Sequence, residues 1–430
     1  MKRKQGPTSA SFSQAKRIKP ISGPTEAVLA LQELFDFSKT KTEEDIERRF
    51  NHIATTLLHE CHLVVIVVDA ADAVTKEIEF EILEAEFYLR IVGCHEDPFT
   101  HGSEEQKISG KWCENMFHDG TLTFCYNHEK INRYFHRAPR KSADSHCSAT
   151  SLTGYRGGSR KGLDVTIGGT PSPPVLSKHF APTTPLHPDL VQDHQLLRGG
   201  ILLRSLRQLG PNTKVISGPS LLVDHILSLS GASSIADLVE NKWAGDTDAF
   251  TIPGKDERST SRMFLRPLVS PPPSSSTPSS NGQSVSSPKI YFSPRIGLDL
   301  SHPGTTNASI LPLHPRIQFL SKSYRFFTHP EELVANGRPQ TFLGVLFSCI
   351  SSEADFTEAL KQPRLNQEIA ALIALKESTS ARYLAEYIAG REGGVNLLNS
   401  FVGPKGKGAS SSPSSYLRMM GALSNLTFLS

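Results

Sequence analysis

The stretch KEIEFEILEAEFYL, residues 76 to 89, has the two-residue side-chain period of a long β-strand, and it commits the chain to a sheet. Its alternation changes phase midway. Ile78, Phe80 and Ile82 are apolar and alternate with Glu77, Glu79 and Glu81. From Leu83 onward the rows exchange: Leu83, Ala85 and Phe87 are apolar, and Glu84, Glu86 and Tyr88 fall on the row that had faced the core. Two readings follow. Either two carboxylates and a phenol are aimed inward at a site, or a bulge at Leu83 turns the strand so that Glu84 and Glu86 meet solvent as it leaves the sheet.

Helical and strand-like segments surround it. Thr42 followed by Glu43, Glu44 and Asp45 forms a helix start with acids in its first turn. Ile46, Phe50, Ile53, Ala54, Leu57 and Leu58 recur at helical spacing, predicting an amphipathic helix over 43–60. LVVIVV (63–68), LDVTIGG (163–169), GGILLRSLR (199–207), KIYFSPRIGL (289–298) and RIQFLSKSYRFF (316–327) read as strands. SGPSLLVDHILSL starts a helix with Pro219 in the first turn, where its missing N–H costs nothing, and a second helix is expected at 234–243. From about residue 340 the apolar spacing is helical again. This order predicts a mixed α+β domain over 41–335, with low-complexity excursions at 170–186 and 268–288 and a helical C-terminal extension over 336–430.

Composition narrows the class. The chain has 430 residues, 38% hydrophobic, with 29 prolines, which leaves room for one substantial core and long unfolded stretches. A net charge of +3 is too small to imply a nucleic-acid partner by itself, so any basic surface must be local. Six irregularly spaced cysteines form no disulfide framework and are read as reduced thiols. No apolar run approaches the roughly 18 residues of a membrane span, and no secretory leader is expected.

Residues 1–40 read as a disordered basic tail. Lys2–Lys4 and Lys16-Arg17-Ile18-Lys19, split by a Gly/Pro/Ser/Thr spacer, have the form of a bipartite nuclear localisation signal, so a nuclear import receptor and the nucleus are expected. Between Tyr134 and Lys161 stand Arg137, Arg140, Lys141, Arg156, Arg160 and Lys161, with three aromatics and the pair Gly157-Gly158. This run is either a phosphate-contacting loop or a solvated basic one. His59-Glu60-Cys61-His62 is one residue short of HExxH, and the other cysteines lack zinc-site spacing; no metal and no cofactor are expected.

LEAEFYL (83–89) resembles the strand E-T-E-A-Y-L of alkyladenine (3-methylpurine) DNA glycosylases. ATTLLHECHLVV (54–65), DPFTHG, ILLRSLR (201–207), SGPSLLVDHIL (217–227), SPRIGLDLSHPG (293–304) and SYRFF (323–327) resemble further segments of that family, in its order, over residues 45–330. The resemblance implies one α+β domain with a curved, antiparallel-rich sheet and flanking helices, acting as a monomer on duplex DNA. It implies that Glu86 activates the water attacking the sugar C1′ of a flipped nucleotide, and that Tyr88 stacks on the extruded base. It also implies that His101 bonds the nucleotide and Arg204 lines the pocket; Arg156, Arg160 and Lys161 of the basic run, with Ser217 and Gly218, are the residues expected against the nucleic acid. Burial can raise a glutamate pKa by as much as ~3–5 units, and a cation such as Arg204 would oppose that shift.

The sequence departs from the family in two places. The family wedges a tyrosine into the gap left by the flipped base, from a strand near KGLDVTIGG, where Leu163 and Asp164 stand instead. CENMFHDGTLTFCYNHEKINR (113–133) interrupts a GKW–YFHR arrangement seen in a divergent branch, and is an insertion, a retained intron or a genuine strand. Two other functions fit the same residues: a nucleic-acid-binding protein that has lost excision, and a hydrolase of free nucleosides.

Overall fold

The computed structural model describes residues 26–40, 42–68, 75–91, 93–100, 133–135, 161–168, 197–250, 259–268, 287–301, 305–350, 363–402 and 412–427. The basic clusters, residues 113–132 and the 170–186 excursion lie outside the described residues, as does most of 268–288.

The class is α+β, built on a curled antiparallel sheet. Ten strands are described: β1 (Cys61–Val68), β2 (Thr75–Ile91), β3 (His95–Glu96), β4 (Arg133–Phe135), β5 (Leu163–Ile167), β6 (Arg198–Gln208), β7 (Lys214–Ser217), β8 (Ser261–Pro267), β9 (Tyr291–Ser293) and β10 (Arg325–Phe327). The main path runs β4-β5-β6-β2-β1-β8, with β3 and β10 also on β2, β9 on β10 and β7 on β6. β2 is the central member because its length lets β6 run along one side while β1, then β10, occupy the other.

The phase change in β2 is a bulge. Ile82 pairs with Leu206 and Glu84 with Ser205, so Leu83 is the extra residue; Ala85 then pairs with Leu203, making Arg204 the extra residue on β6. The two bulges compensate and restore the register. The apolar row therefore stays on one face through Ile78, Phe80, Ile82, Ala85, Phe87 and Leu89, all buried. Glu77, Glu79, Glu81, Glu84, Glu86 and Tyr88 share the other. The expectation that such a bulge would release Glu84 and Glu86 to solvent is wrong: both are buried, because a second layer covers their face.

The apolar face packs on α2 (Glu43–His59), whose buried stripe is Ile46, Phe50, Ile53, Ala54, Leu57 and Leu58. Thr42 caps this helix, accepting from the Asp45 N–H at 3.1 Å. Phe50 anchors it, with its ring 4.9 Å from that of Phe87 and 5.0 Å from that of Tyr324. A third helix (Pro219–Leu229) buries Leu222, Val223 and Ile226. The polar face is covered from the C-terminal side by the helix Arg338–Ser348. Its Gly344 lies so close to the sheet that a Cβ there would come within 2.8 Å of the Phe292 carbonyl oxygen and 2.9 Å of the Phe327 ring. Leu343 and Leu346 on this helix, and Leu417 and Leu423 on Pro413–Thr427, belong to the same continuous apolar core as Phe87 and Leu203.

Three expectations are corrected. Residues 26–40 are not tail: Glu26–Leu34 is helical, and Leu31, Phe35 and Phe37 are buried, with the Phe35 and Phe37 backbone bonded to Gly168 at the end of β5. Residues 316–327 are not one strand, because Pro315 in a first turn and His314 accepting from the Arg316 N–H start a helix over Pro315–Ser321; only Arg325–Phe327 pairs. Residues 289–298 pair only over Tyr291–Ser293, since Pro294 has no N–H and Gly297 turns the chain at φ +83°. The helix expected at 234–243 is present over 235–242, with π-helical hydrogen bonding over Asp237–Lys242. Strands β3, β7 and β8 are not among those the sequence predicts.

Candidate functional site

Glu86 sits at the centre of the covered face with no solvent exposure. Its Oε1 accepts the Ile296 N–H at 2.7 Å. Its Oε2 accepts the Tyr88 hydroxyl at 3.0 Å and Arg204 Nη1 at 3.1 Å. A carboxylate offers about four lone-pair positions, so among the described residues one acceptor position on Oε1 has no donor. Tyr88, two residues on, shares this face and is half-buried, while neighbouring Ile296 is half-buried and Gly297 exposed. The rim of the site therefore lies at Tyr88 and the 296–297 turn.

Behind Glu86 stands Glu84. Its Oε1 accepts Arg325 Nε at 2.6 Å and its Oε2 accepts the Ser205 hydroxyl at 2.5 Å. Arg204 Nε lies 3.3 Å from Glu84 Oε1 without hydrogen-bond geometry. Burial opposes ionisation of Glu84, but Arg325 and Arg204, with the Ser205 hydroxyl, outweigh it and hold the carboxyl below its usual range. Arg204 is held charged despite its own burial by Glu86 and Glu84. Arg325, fully buried, also donates to Ser293 Oγ at 2.9 Å and Thr341 Oγ1 at 3.0 Å.

The third cation props the aromatic. Arg295 pairs with Asp97 through two bonds of 2.6 and 3.2 Å and donates to the Phe87 and Phe319 carbonyls. Its guanidinium carbon lies 4.5 Å from the Tyr88 ring centroid. Burial and the adjacent Glu86 push the Tyr88 phenol well above its ordinary pKa, so it stays a donor. Glu84, Glu86 and Asp97 thus balance Arg204, Arg295 and Arg325, which makes a set of six buried charges tolerable.

The structure brings Glu86, Tyr88 and Arg204 into contact. Ser217 and Gly218 lie one layer away: the Ser217 and Ser205 hydroxyl oxygens are 3.2 Å apart, and the Gly218 N–H donates to the Arg204 carbonyl at 2.8 Å. Gly218 opens the helix Pro219–Leu229 at φ +115°, a conformation that favours glycine. Lys161 is at the same helix start, where its carbonyl accepts the Ser220 hydroxyl at 3.1 Å, but its ammonium is ion-paired with Asp224. His101, Arg156 and Arg160 lie outside the described residues. Asp97, Arg295, Arg325 and the Ile296 amide were assigned no role from the sequence. Their signal was a charged residue set inside a short, otherwise apolar segment, as in DPF, SPRIG and SYRFF.

Cys61 of the HExxH-like stretch is buried, and burial pushes its thiol up to about 12, which opposes the thiolate a metal needs. His62 is bonded to Glu79 at 2.9 Å and His59 to the Pro288 carbonyl at 2.9 Å. Elsewhere among the described residues, His329, Glu331 and Glu332 bring three ligand atoms within 4.8 Å of one another, but Glu332 is already paired with Arg207 at 2.7 Å. No described helix is long and apolar enough to cross a membrane.

No family model matches the chain, and no solved structure matches it. An uncharacterized protein of Acanthamoeba polyphaga mimivirus, L759, is 25% identical over 261 residues, covering 60% of this chain and 83% of its own.

Proposed function

We propose that the protein is a DNA glycosylase-like hydrolase that cleaves the N-glycosidic bond of damaged purines after base flipping, and that it acts in the nucleus. The observation that carries this reading is the Glu86 carboxylate, held by Tyr88, Arg204 and the Ile296 amide with one acceptor position to spare among the described residues, beside a half-buried tyrosine. In the proposed reaction the bond between C1′ and the base nitrogen breaks with oxocarbenium character at the sugar. Glu86 accepts a proton from water as its oxygen bonds to C1′, and the base leaves with the bonding electrons. Arg204 donates to Glu86 Oε2 at 3.1 Å and so sets a cation beside the proton acceptor. Tyr88 offers the extruded base an aromatic face, a contact worth about 1–3 kcal/mol per base in single-strand systems. Arg295 lies over the same ring.

The test is excision from duplexes carrying hypoxanthine, ethenoadenine or 3-methyladenine, with alkali cleavage to reveal abasic sites. E86Q should lower the rate by about 10²–10⁴-fold with duplex binding retained. Equal excision by E86Q and the native protein would refute the assignment. A second reading, a nucleic-acid-binding protein that has lost excision, is favoured by the complete burial of Glu86. Tight duplex binding with no excision of any lesion selects it.

A further inference from the structure

Arg204 occupies a bulge between two carboxylates and treats them unequally. Nη1 is hydrogen-bonded to Glu86, whereas the buried Nε faces Glu84 at 3.3 Å and makes no hydrogen bond among the described residues. Glu84 is satisfied from elsewhere, by Arg325 at 2.6 Å and Ser205 at 2.5 Å. Arg325 is in turn tied to Ser293 and, through Thr341, to the C-terminal helix Arg338–Ser348. The guanidinium therefore faces two anions, and Glu86 is faced as well by the Tyr88 hydroxyl from its own strand, by the charge of Arg295 and by Tyr416 of the helix Pro413–Thr427.

We propose that Glu84 is a positioning residue: anchored by Arg325 and Ser205, it competes with Glu86 for the Arg204 guanidinium and so sets how closely that cation is held to Glu86. This rests on the reading of Glu86 as the general base. A carboxylate fully paired with a guanidinium is a weak base, and one with no cation in a buried site is protonated; an intermediate state suits proton abstraction near neutral pH. The contacts run in sequence from Thr341 to Arg325, Glu84, Arg204 and Glu86, and so link the helix Arg338–Ser348 to the base.

Two variants should move the acid limb of the kcat/KM pH profile in opposite directions. E84Q removes the competing anion, so Arg204 serves Glu86 alone: the limb moves to lower pH, by about one unit, and the plateau rate falls about tenfold as the base weakens. S205A removes a donor from Glu84 and keeps its charge, so Glu84 draws more on Arg204 and the limb moves to higher pH. Both limbs unmoved, or both displaced the same way, would overturn the proposal; a purely structural Glu84 lowers Tm and leaves the limbs in place. If E84Q does not fold, the direction of the S205A limb decides alone. If the native protein excises nothing, the glycosylase reading fails separately. The proposal is then decided by the Glu86 carboxyl carbon, assigned by difference with E86Q in protein carrying ¹³C-labelled glutamate, whose titration must show the same opposite displacements in E84Q and S205A.

Discussion

Asp97 and Arg295 are paired in full burial beneath Tyr88, and neither ion is tolerable alone. D97N leaves the Arg295 cation uncompensated and should cost about 3–5 kcal/mol in urea unfolding, whereas the double change D97N/R295M should recover much of that loss. A cost for D97N no larger than that for the double change would remove the pair from the support of Tyr88. His95, adjacent and fully buried, bonds the Leu89 carbonyl at 2.8 Å and the Tyr324 hydroxyl at 2.9 Å. Burial lowers its pKa against the pull of Asp97, the Leu89 carbonyl and Glu43, with Arg295 acting in the same direction as burial. The unfolded chain therefore binds a proton at His95 more readily than the folded one. Its contribution to stability is present above the unfolded value of about 6.5 and is lost as pH falls below it. Urea midpoints at pH 5 and 7.5 should differ less in H95Q than in the native protein.

At the scale of elements, two devices position everything else. The compensating bulges at Leu83 and Arg204 keep the acids of β2 on one face and turn Arg204 toward them. Deleting Leu83 would move Ile82 and the residues before it onto the polar face, or the acids into the apolar one, since a one-residue slip exchanges both rows. No cooperatively folded protein is expected by near-UV circular dichroism, whereas Leu83→Ile should cost under about 1.5 kcal/mol. The second device is the crossing of Glu377–Gly393 with Pro413–Thr427, made at two glycines. A Cβ on Gly390 would collide with the Arg418 carbonyl, and one on Gly421 with the Tyr387 carbonyl. Gly421→Ala should lower Tm although alanine is the better helix former by ~1 kcal/mol; a rise in Tm would mean the helices do not approach this closely.

Over the whole molecule, a buried, balanced charge layer lies between the sheet and the C-terminal helices. Glu84 has a carboxyl pKa below its unfolded value, so its share of stability is present above about pH 4.3 and is lost as pH falls below that. Native protein should lose stability on acidification through this window, and E84Q, if it folds, should lose less. The sequence by itself determined the local elements. Thr42 with its following acids and the Ile46–Leu58 stripe define α2, Pro219 starts a helix, and the phase change at Leu83 marks the strand as unusual, because caps, periodicity and proline act within a few residues. It also singled out Glu86, Tyr88 and Arg204, by a short-range alternation and a resemblance. The tertiary structure decided whether the bulge would expose the acids or bury them, because that depends on Arg338–Ser348 closing over them from more than 240 residues away. It decided that Asp97, Arg295 and Arg325 are their counter-charges, since no local pattern records which buried cation meets which anion. Side-chain period is a property of neighbours along the chain; electrostatic compensation of a buried carboxylate is a property of neighbours in space.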